Sequence, residues 1–271
     1  MTDAATPPLD ELDLRGLVAV VTGASAGIGE ATARRLAARG MDLVLGARRA
    51  ERLEALAAEL GQAHGVRCLP HALDVRENAS VDAFVAAAEA FAGEAGVHLL
   101  VNNAGLALGV ARLPTASLDD EADWERMLDT NVKGLLKVTR RFLPGLVARG
   151  AGHVVNIGSL AGIETYEGGS VYCASKAAVR VVSKALRLEL LGTGVRVCCI
   201  NPGLVNTEFS FVRLRDQGAA DGVYKGMTPL TGLEVARAVE WVASLPAFMS
   251  IEELNLQPQD QASAQKVHRR E

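Results

Sequence analysis

The 271-residue sequence predicts an α/β protein with a parallel sheet covered by helices on both faces. Short apolar runs typical of buried strands alternate with longer segments that have the spacing of amphipathic helices. The first run, residues 17–22, is apolar at nearly every position, as expected of a strand covered on both faces. Apolar residues make up 49% of the chain and charged residues 22%, which indicates a chain that folds around a full core.

The predicted elements follow one another in regular order. Strands are predicted at residues 17–22, 42–46, 66–73, 98–101, 153–157, 195–200 and 251–254. Helices are predicted at residues 29–39, 50–60, 80–91, 118–148, 171–191 and 233–243. Three acidic residues at the start of the long segment 118–148 suit the positive end of a helix dipole. Because strands separated by helices are joined by right-handed crossovers, this alternation predicts a parallel sheet.

We predict one domain over residues 13–256, since no repeat or linker-like stretch interrupts it. Residues 1–12 are expected to form a flexible arm. The polar tail, residues 257–271, is expected to be a disordered end or an arm that docks onto a partner in an oligomer. The segment 171–191 is apolar around most of its circumference, which favours a homo-oligomer, the alternative being a surface helix rich in small residues.

Composition disfavours several classes of protein. The formal charge is -4 and no basic block is present, so nucleic acid and anionic membranes are poor partners. No apolar stretch reaches the ~20 residues of a membrane helix, and the first residues lack the pattern of a signal peptide, which favours a cytoplasmic protein. The four cysteines lack paired spacing and are expected to be core thiols. The five histidines show no metal-ligand spacing, so no metal is expected.

A glycine-rich turn follows the first strand. Glycines stand at positions 23, 27 and 29, immediately before a predicted helix. Such a turn lets the backbone approach a diphosphate while the N-terminus of the helix faces the anion. An ordinary tight turn is the alternative, but the position between a strand and a helix favours a dinucleotide site.

The end of the second predicted strand indicates which dinucleotide is bound. An acidic residue there usually holds the ribose hydroxyls of NAD, whereas this chain has Arg48 and Arg49. Asp42 stands at the opposite end of the strand, ~13 Å away at ~3.3 Å per residue. Two arginines before a helix suit a 2′-phosphate, so we predict NADP; two solvated surface arginines are the alternative.

Three side chains form the predicted reaction centre. Tyr172 and Lys176 are four residues apart on a predicted helix and so share one face. The ammonium group is expected to lower the pKa of the phenol, which would let Tyr172 exchange a proton with an alcohol. Ser159 is expected to hold the substrate oxygen. A solvated tyrosine–lysine pair is the alternative for this spacing taken alone.

The sequence resembles the short-chain dehydrogenase/reductase family. The matching segments are TGASAGIG at 22–29, NNAG at 102–105, NIGSLAG at 156–162, YCASK at 172–176 and NPG at 201–203. The resemblance covers about residues 14–256 and implies a Rossmann-like, doubly wound, seven-stranded sheet of order 3-2-1-4-5-6-7. It also implies a catalytic tetrad of Asn131, Ser159, Tyr172 and Lys176, in which Asn131 holds a water that links Lys176 to solvent.

The motifs and the resemblance together predict a set of cofactor-binding residues. They are Gly23, Ser25, Gly27, Ile28, Gly29, Arg48, Arg49, Asp74, Val75, Asn102, Ala104, Gly105, Tyr172, Lys176, Pro202, Gly203, Val205 and Thr207. Asn102 would lie beside the adenosine ribose, and the last four residues beside the nicotinamide. Gly158 departs from the family pattern, where many members have a second serine.

Longer segments resemble the NADP-dependent 3-hydroxy acid dehydrogenases, among them DTNVKGLL at 129–136 and PGLVNTEFSFVR at 202–213. This implies oxidation of serine, allo-threonine or 3-hydroxyisobutyrate, reduction of malonic semialdehyde, and a tetramer. Arg213 or Lys225 would then bind the substrate carboxylate, the alternative being exposed charges on a helix. A reductase of another ketone, aldehyde or 3-oxoacyl substrate stays open. A non-catalytic NADP-binding regulator is disfavoured because Tyr172 and Lys176 are present.

Overall fold

The computed structural model describes residues 11–270. Seven parallel strands form one sheet of order β3-β2-β1-β4-β5-β6-β7, which confirms the predicted fold. The strands are β1 (Val18–Thr22), β2 (Asp42–Ala47), β3 (Cys68–Ala72), β4 (Val97–Asn102), β5 (Gly152–Ile157), β6 (Val195–Pro202) and β7 (Glu253–Leu256). The order reverses at β1, where the chain crosses to β4, and a ligand crevice is expected there in a sheet of this kind.

Nine α-helices are present within residues 11–270. They are α1 (Gly27–Ala38), α2 (Ala50–His64), α3 (Asn78–Ala92), α4 (Leu118–Leu128), α5 (Leu135–Arg149), α6 (Ser170–Glu189), α7 (Glu208–Leu214), α8 (Gln217–Tyr224) and α9 (Gly232–Ser244). The long helix predicted at 118–148 is interrupted by a π-helical turn over Asp129–Gly134. The short helices α7 and α8 were not predicted, because seven or eight residues are too few for a clear apolar period.

Two apolar layers enclose the sheet. One packs α1, α2 and α9 against one face, and the other packs α3, α5 and α6 against the opposite face. Cys198 belongs to the first layer, whereas Cys199 packs with Val179 of α6 on the other side. This confirms that the adjacent cysteines of β6 point to opposite faces, as strand alternation requires.

The described part of the C-terminal tail lies against its own chain. The Arg270 amide donates to the Gly226 carbonyl at 2.6 Å, and the Ala264 amide donates to the Glu164 carboxylate at 2.7 Å. A disordered end is therefore wrong for residues 257–270, while docking onto a partner stays a prediction. Of the predicted N-terminal arm, residues 1–10 lie outside the described residues.

Helix α6 has one buried and one exposed apolar side. Val179 and Leu186 are buried, whereas Val181, Leu188 and Leu191 beyond its end are largely exposed. The predicted homo-oligomer remains a prediction that this exposed side supports. Within residues 11–270, none of the helices combines the length and apolar character needed to span a membrane.

Candidate active site

A cleft of about 680 Å³ opens at the carboxyl ends of the strands. Its floor is formed by the segments that follow β1 to β6, and its outer wall by α7, α8 and the loop before α6. The cleft thus lies where a parallel sheet of this order is expected to bind ligands. Its volume is in the range of small-molecule and cofactor sites, roughly 300–1,000 Å³.

The glycine-rich turn forms one end of this cleft. Gly23 and Gly27 have positive φ angles of 67° and 58°, a conformation that favours glycine. A Cβ on Gly23 would lie 2.9 Å from the Ala104 Cα atom. Helix α1 begins at Gly27 with no side-chain cap at Ala26, so its first N–H groups remain for an anion. These features fit the diphosphate of a dinucleotide.

Most predicted cofactor-binding residues line the cleft. They are Gly23, Ser25, Gly27, Ile28, Arg48, Arg49, Asp74, Val75, Ala104, Gly105, Tyr172, Lys176, Pro202, Gly203, Val205 and Thr207. Gly29 does not line it; a Cβ there would lie 2.3 Å from the Gly23 carbonyl oxygen, so Gly29 lets α1 pack against the turn.

Asn102 does not line the cleft, and its contact with the cofactor stays a prediction. Its Nδ2 atom donates to Thr139 Oγ1 and to Asn156 Oδ1, both at 2.8 Å, and the side chain is buried beside β5. Asn103 lines the cleft instead and donates to the carbonyl oxygens of Thr22 and Gly23. Because successive side chains along β4 point to opposite faces, Asn102 faces the core and Asn103 faces the glycine-rich turn.

The two arginines after β2 occupy the position expected of a 2′-phosphate site. The Arg49 Nε atom donates to Ser25 Oγ at 3.1 Å, and its Nη1 atom donates to Glu208 at 2.8 Å. Arg52 donates to the other oxygen of Glu208 at 2.7 Å. Arg48 lines the same wall and has no ion pair within residues 11–270. Two guanidinium groups beside a serine hydroxyl suit a phosphate.

Ser159, Tyr172 and Lys176 all line this cleft. Ser159 follows β5, and its hydroxyl accepts a hydrogen bond from the Ala161 amide at 3.1 Å. Tyr172 and Lys176 stand on the first turns of α6. The Lys176 ammonium group donates to the Ile157 carbonyl at 2.9 Å.

The pKa shifts of Tyr172 and Lys176 are set mainly by burial. Burial raises the pKa of the Tyr172 phenol, while the Ser159 hydroxyl and the charge of Arg213 act against that rise. The expected lowering of this pKa by Lys176 is therefore wrong for the structure described. Lys176 is itself buried, which lowers its pKa to about 8. The physical reason is that removal from water disfavours the charged form of both groups.

Asn131 lies behind the centre in the π-helical turn between α4 and α5. Its side chain exchanges two hydrogen bonds of 2.8 Å with the Leu106 backbone and donates to Ser175 Oγ at 3.0 Å. A Cβ on Gly105 would lie 3.2 Å from Asn131 Oδ1 and 3.4 Å from Lys176 Nζ. Asn131 and Lys176 therefore flank Gly105. The water relay through Asn131 stays a prediction.

The two candidates for a carboxylate partner, Arg213 and Lys225, lie at different distances from the cleft. Arg213 of α7 lines the cleft, and its guanidinium carbon lies 5.7 Å from the centre of the Tyr172 ring. Lys225, at the end of α8, does not line the cleft. Glu208, at the start of α7, links this outer wall to Arg49 and Arg52 across the cleft.

Tyr166 is a residue of the cleft that the sequence analysis missed. It stands in the loop between β5 and α6, and the Arg213 guanidinium carbon lies 5.2 Å from the centre of its ring. An aromatic residue followed by Gly168 and Gly169, shortly before Tyr172, was the available signal. That signal is weak because loop aromatics commonly pack without contacting a ligand.

Comparison with known proteins agrees with this geometry. A family model described as short chain dehydrogenase matches residues 17–217. An NADP-dependent 3-hydroxy acid dehydrogenase of Salmonella typhi is 46% identical over 256 residues, which cover 93% of this chain and all of that protein. A serine 3-dehydrogenase of Agrobacterium fabrum (strain C58) is 46% identical over 248 residues, covering 90% of this chain and 95% of that protein.

A solved structure shares both fold and sequence with this chain. It is the closed form of a serine dehydrogenase in complex with NADP+, with a TM-score of 0.85 and 45% identity. The match covers 94% of this chain and all of that structure.

Proposed function

Because this chain belongs to the short-chain dehydrogenase family and is an NADP-dependent oxidoreductase that acts on CH–OH groups, we propose that its substrate is a 3-hydroxy acid. The candidates are serine, allo-threonine and 3-hydroxyisobutyrate as alcohols, and malonic semialdehyde as the carbonyl compound. The names of the relatives support this substrate class.

The guanidinium group of Arg213 is the observation that carries the proposal. It lies in the cleft beside the Tyr172 ring, and no carboxylate within residues 11–270 pairs with it. Its Nε atom donates to the Gly109 carbonyl at 3.2 Å. The Nη groups of an arginine fixed in this way suit the two oxygens of a carboxylate. A carboxylate bound there would bring a neighbouring hydroxyl toward Tyr172.

The reaction centre supports proton exchange at that hydroxyl. Bound NADP supplies the hydride chemistry at its nicotinamide ring. We assign to Ser159 the binding of the substrate oxygen and to Tyr172 the transfer of its proton. Because burial raises the pKa of Tyr172, the phenol is protonated near neutral pH and ready to donate to a carbonyl oxygen. Alcohol oxidation needs the phenolate and is therefore expected to favour alkaline pH.

A substrate panel with NADP and NAD tests the proposal. L-serine, L-allo-threonine and 3-hydroxyisobutyrate are compared with a 3-oxoacyl thioester and with isobutanol, which carries a methyl group in place of the carboxylate of 3-hydroxyisobutyrate. We expect turnover of the acids with NADP and a strong preference over isobutanol. Reduction of the thioester without oxidation of any acid would instead identify a reductase of another substrate.

Substitutions of Arg213 and Tyr172 test the roles proposed for these two side chains. Arg213→Gln is expected to raise KM for the acids about 10- to 100-fold, since it removes charge-assisted hydrogen bonds, and to leave KM for NADP unchanged. The control is Arg112→Gln, which removes an exposed arginine paired with Glu167. Tyr172→Phe is expected to abolish turnover. Unchanged activity of Tyr172→Phe would overturn the tyrosine assignment.

We also propose that the enzyme is a homo-oligomer, a tetramer as in the family. The support is the exposed apolar side of α6 with Val181 and Leu188. Val181→Glu combined with Leu188→Glu is expected to lower the mass measured by sedimentation equilibrium. An unchanged mass would exclude this side of α6 as the interface.

A further inference from the structure

The hydroxyl group of Tyr166 is buried in the wall of the cleft. Within residues 11–270 it has no hydrogen-bond partner. An unpaired buried hydroxyl is unfavourable, and native proteins satisfy most such groups. Because Tyr166 borders the cleft, a ligand in the cleft can supply the missing partner.

The Tyr166 ring is held in place by the backbone that leads into α6. A Cβ on Gly169 would lie 2.3 Å from the ring atom Cε2, so the ring packs directly on this glycine. Gly168 has a φ angle of +74°, and a Cβ there would lie 2.4 Å from the Val110 carbonyl oxygen. The loop is therefore fixed on both sides. The position of the Tyr166 ring relative to Tyr172 is thus fixed.

Arg213 lies beside both tyrosine rings, with its guanidinium carbon 5.2 Å from the centre of Tyr166 and 5.7 Å from that of Tyr172. Its Nε atom is anchored on the Gly109 carbonyl. Burial raises the pKa of Tyr166, although the nearby Arg213 side chain acts against that rise, so this phenol remains a hydrogen-bond donor. One wall of the cleft therefore holds a guanidinium group and a phenol whose hydrogens suit an acceptor-rich group.

We propose that Tyr166 is a specificity-determining residue whose hydroxyl donates a hydrogen bond to the substrate carboxylate held by Arg213. One carboxylate oxygen faces the guanidinium group and the other faces the phenol, so that the pair selects acids over neutral alcohols. This inference rests on the proposed function. The amino group of serine is the competing partner, but the neighbouring positive charge of Arg213 disfavours it.

The test is the ratio of kcat/KM for 3-hydroxyisobutyrate to that for isobutanol in Tyr166→Phe. The ratio is expected to fall about 10- to 100-fold, as for the loss of one hydrogen bond to a charged group. The fall should lie in KM for the acid, because the bond forms in both ground and transition states. KM for NADP should stay the same.

Tyr224→Phe is the matched control. Tyr224 lines the same cleft, but its hydroxyl is already bonded to Ser210 Oγ at 2.6 Å and to the Val205 carbonyl at 2.7 Å. This variant is expected to keep the acid-to-alcohol ratio. Tyr166→Phe combined with Arg213→Gln should lose less than the two single effects multiplied together, since both residues bind one carboxylate.

The outcomes separate the two proposals. An unmodified enzyme that oxidises no acid overturns the proposed function and this inference with it. If the unmodified enzyme oxidises acids but Tyr166→Phe keeps the ratio, the inference is wrong and the proposed function stands. A loss for serine alone, with 3-hydroxyisobutyrate unaffected, would assign Tyr166 to the amino group and overturn its role with the carboxylate.

Discussion

Replacing Lys176 by methionine is expected to stabilise the fold while abolishing activity. The ammonium group is buried and donates a hydrogen bond to the Ile157 carbonyl. Burial lowers its pKa from the ordinary 10.5 to about 8. At about 1.4 kcal/mol per pKa unit, keeping this charge inside the protein costs about 3 kcal/mol at pH 7. The methionine variant leaves the Ile157 carbonyl without this donor, which costs about 1 kcal/mol.

Lys176→Met should therefore raise the free energy of unfolding by about 2 kcal/mol at pH 7, since methionine has similar length and no charge. Urea unfolding followed by tryptophan fluorescence measures this. The pH dependence gives a second check. Because the pKa of Lys176 is lower in the folded than in the unfolded state, the unmodified protein gains stability as pH rises from about 8 toward 10.5. The advantage of the variant should shrink over the same range.

Lys184→Met is the matched control, because Lys184 stands on the same helix but is exposed. Its effect should stay within about 0.5 kcal/mol, as is usual for surface substitutions. A Lys176→Met protein less stable than the unmodified one at pH 7, or a difference that does not vary with pH, would refute the reasoning. Burial of the Lys176 ammonium group would then not destabilise the folded protein.

Three further predictions follow from the same structure. Arg48→Ala combined with Arg49→Ala should lower the preference for NADP over NAD at least ~10-fold in kcat/KM, with Arg52→Ala as the control; an unchanged preference would place the 2′-phosphate elsewhere. Gly158→Ser should lower the free energy of unfolding by about 1–3 kcal/mol in urea, because its Cβ would lie 2.1 Å from Asn201 Oδ1; unchanged stability would mean that the asparagine relaxes freely. Burial lowers the pKa of His153 to about 3. The neutral buried imidazole therefore contributes stability above pH 6.5, and this contribution is lost as the pH falls toward 3. His153→Leu should accordingly unfold at a lower pH than the unmodified protein, as measured by circular dichroism.

Much of the site could be predicted because its signals are local. The turn at Gly23 and Gly27 shows itself by glycines between a strand and a helix, and both have the positive φ angles that such a turn uses. Tyr172 and Lys176 share a helix face through their spacing alone. Both pairs line the cleft as expected. Such features depend on backbone geometry over a few residues, which the sequence specifies directly.

Other features depend on contacts between distant segments. Arg213 and Lys225 are equal candidates from the sequence, and only the structure places Arg213 in the cleft, where its Nε atom donates to Gly109, 104 residues away in the chain. Asn102 matched a motif but faces the core because β5 and α5 lie beside it. The pKa of Tyr172 is raised by burial, an effect that spacing to Lys176 could not indicate.

Local patterns were enough to predict the parallel α/β fold, the glycine turn, the arginines after β2 and the shared helix face of Tyr172 and Lys176. Each of these follows from the periodicity of strands and helices or from motifs a few residues long. Contacts between distant segments bring Tyr166 and Arg213 to one wall of the cleft and direct Lys176 toward Ile157. The reason is that side-chain direction and burial are set by packing against elements far away in the chain, which local patterns do not record.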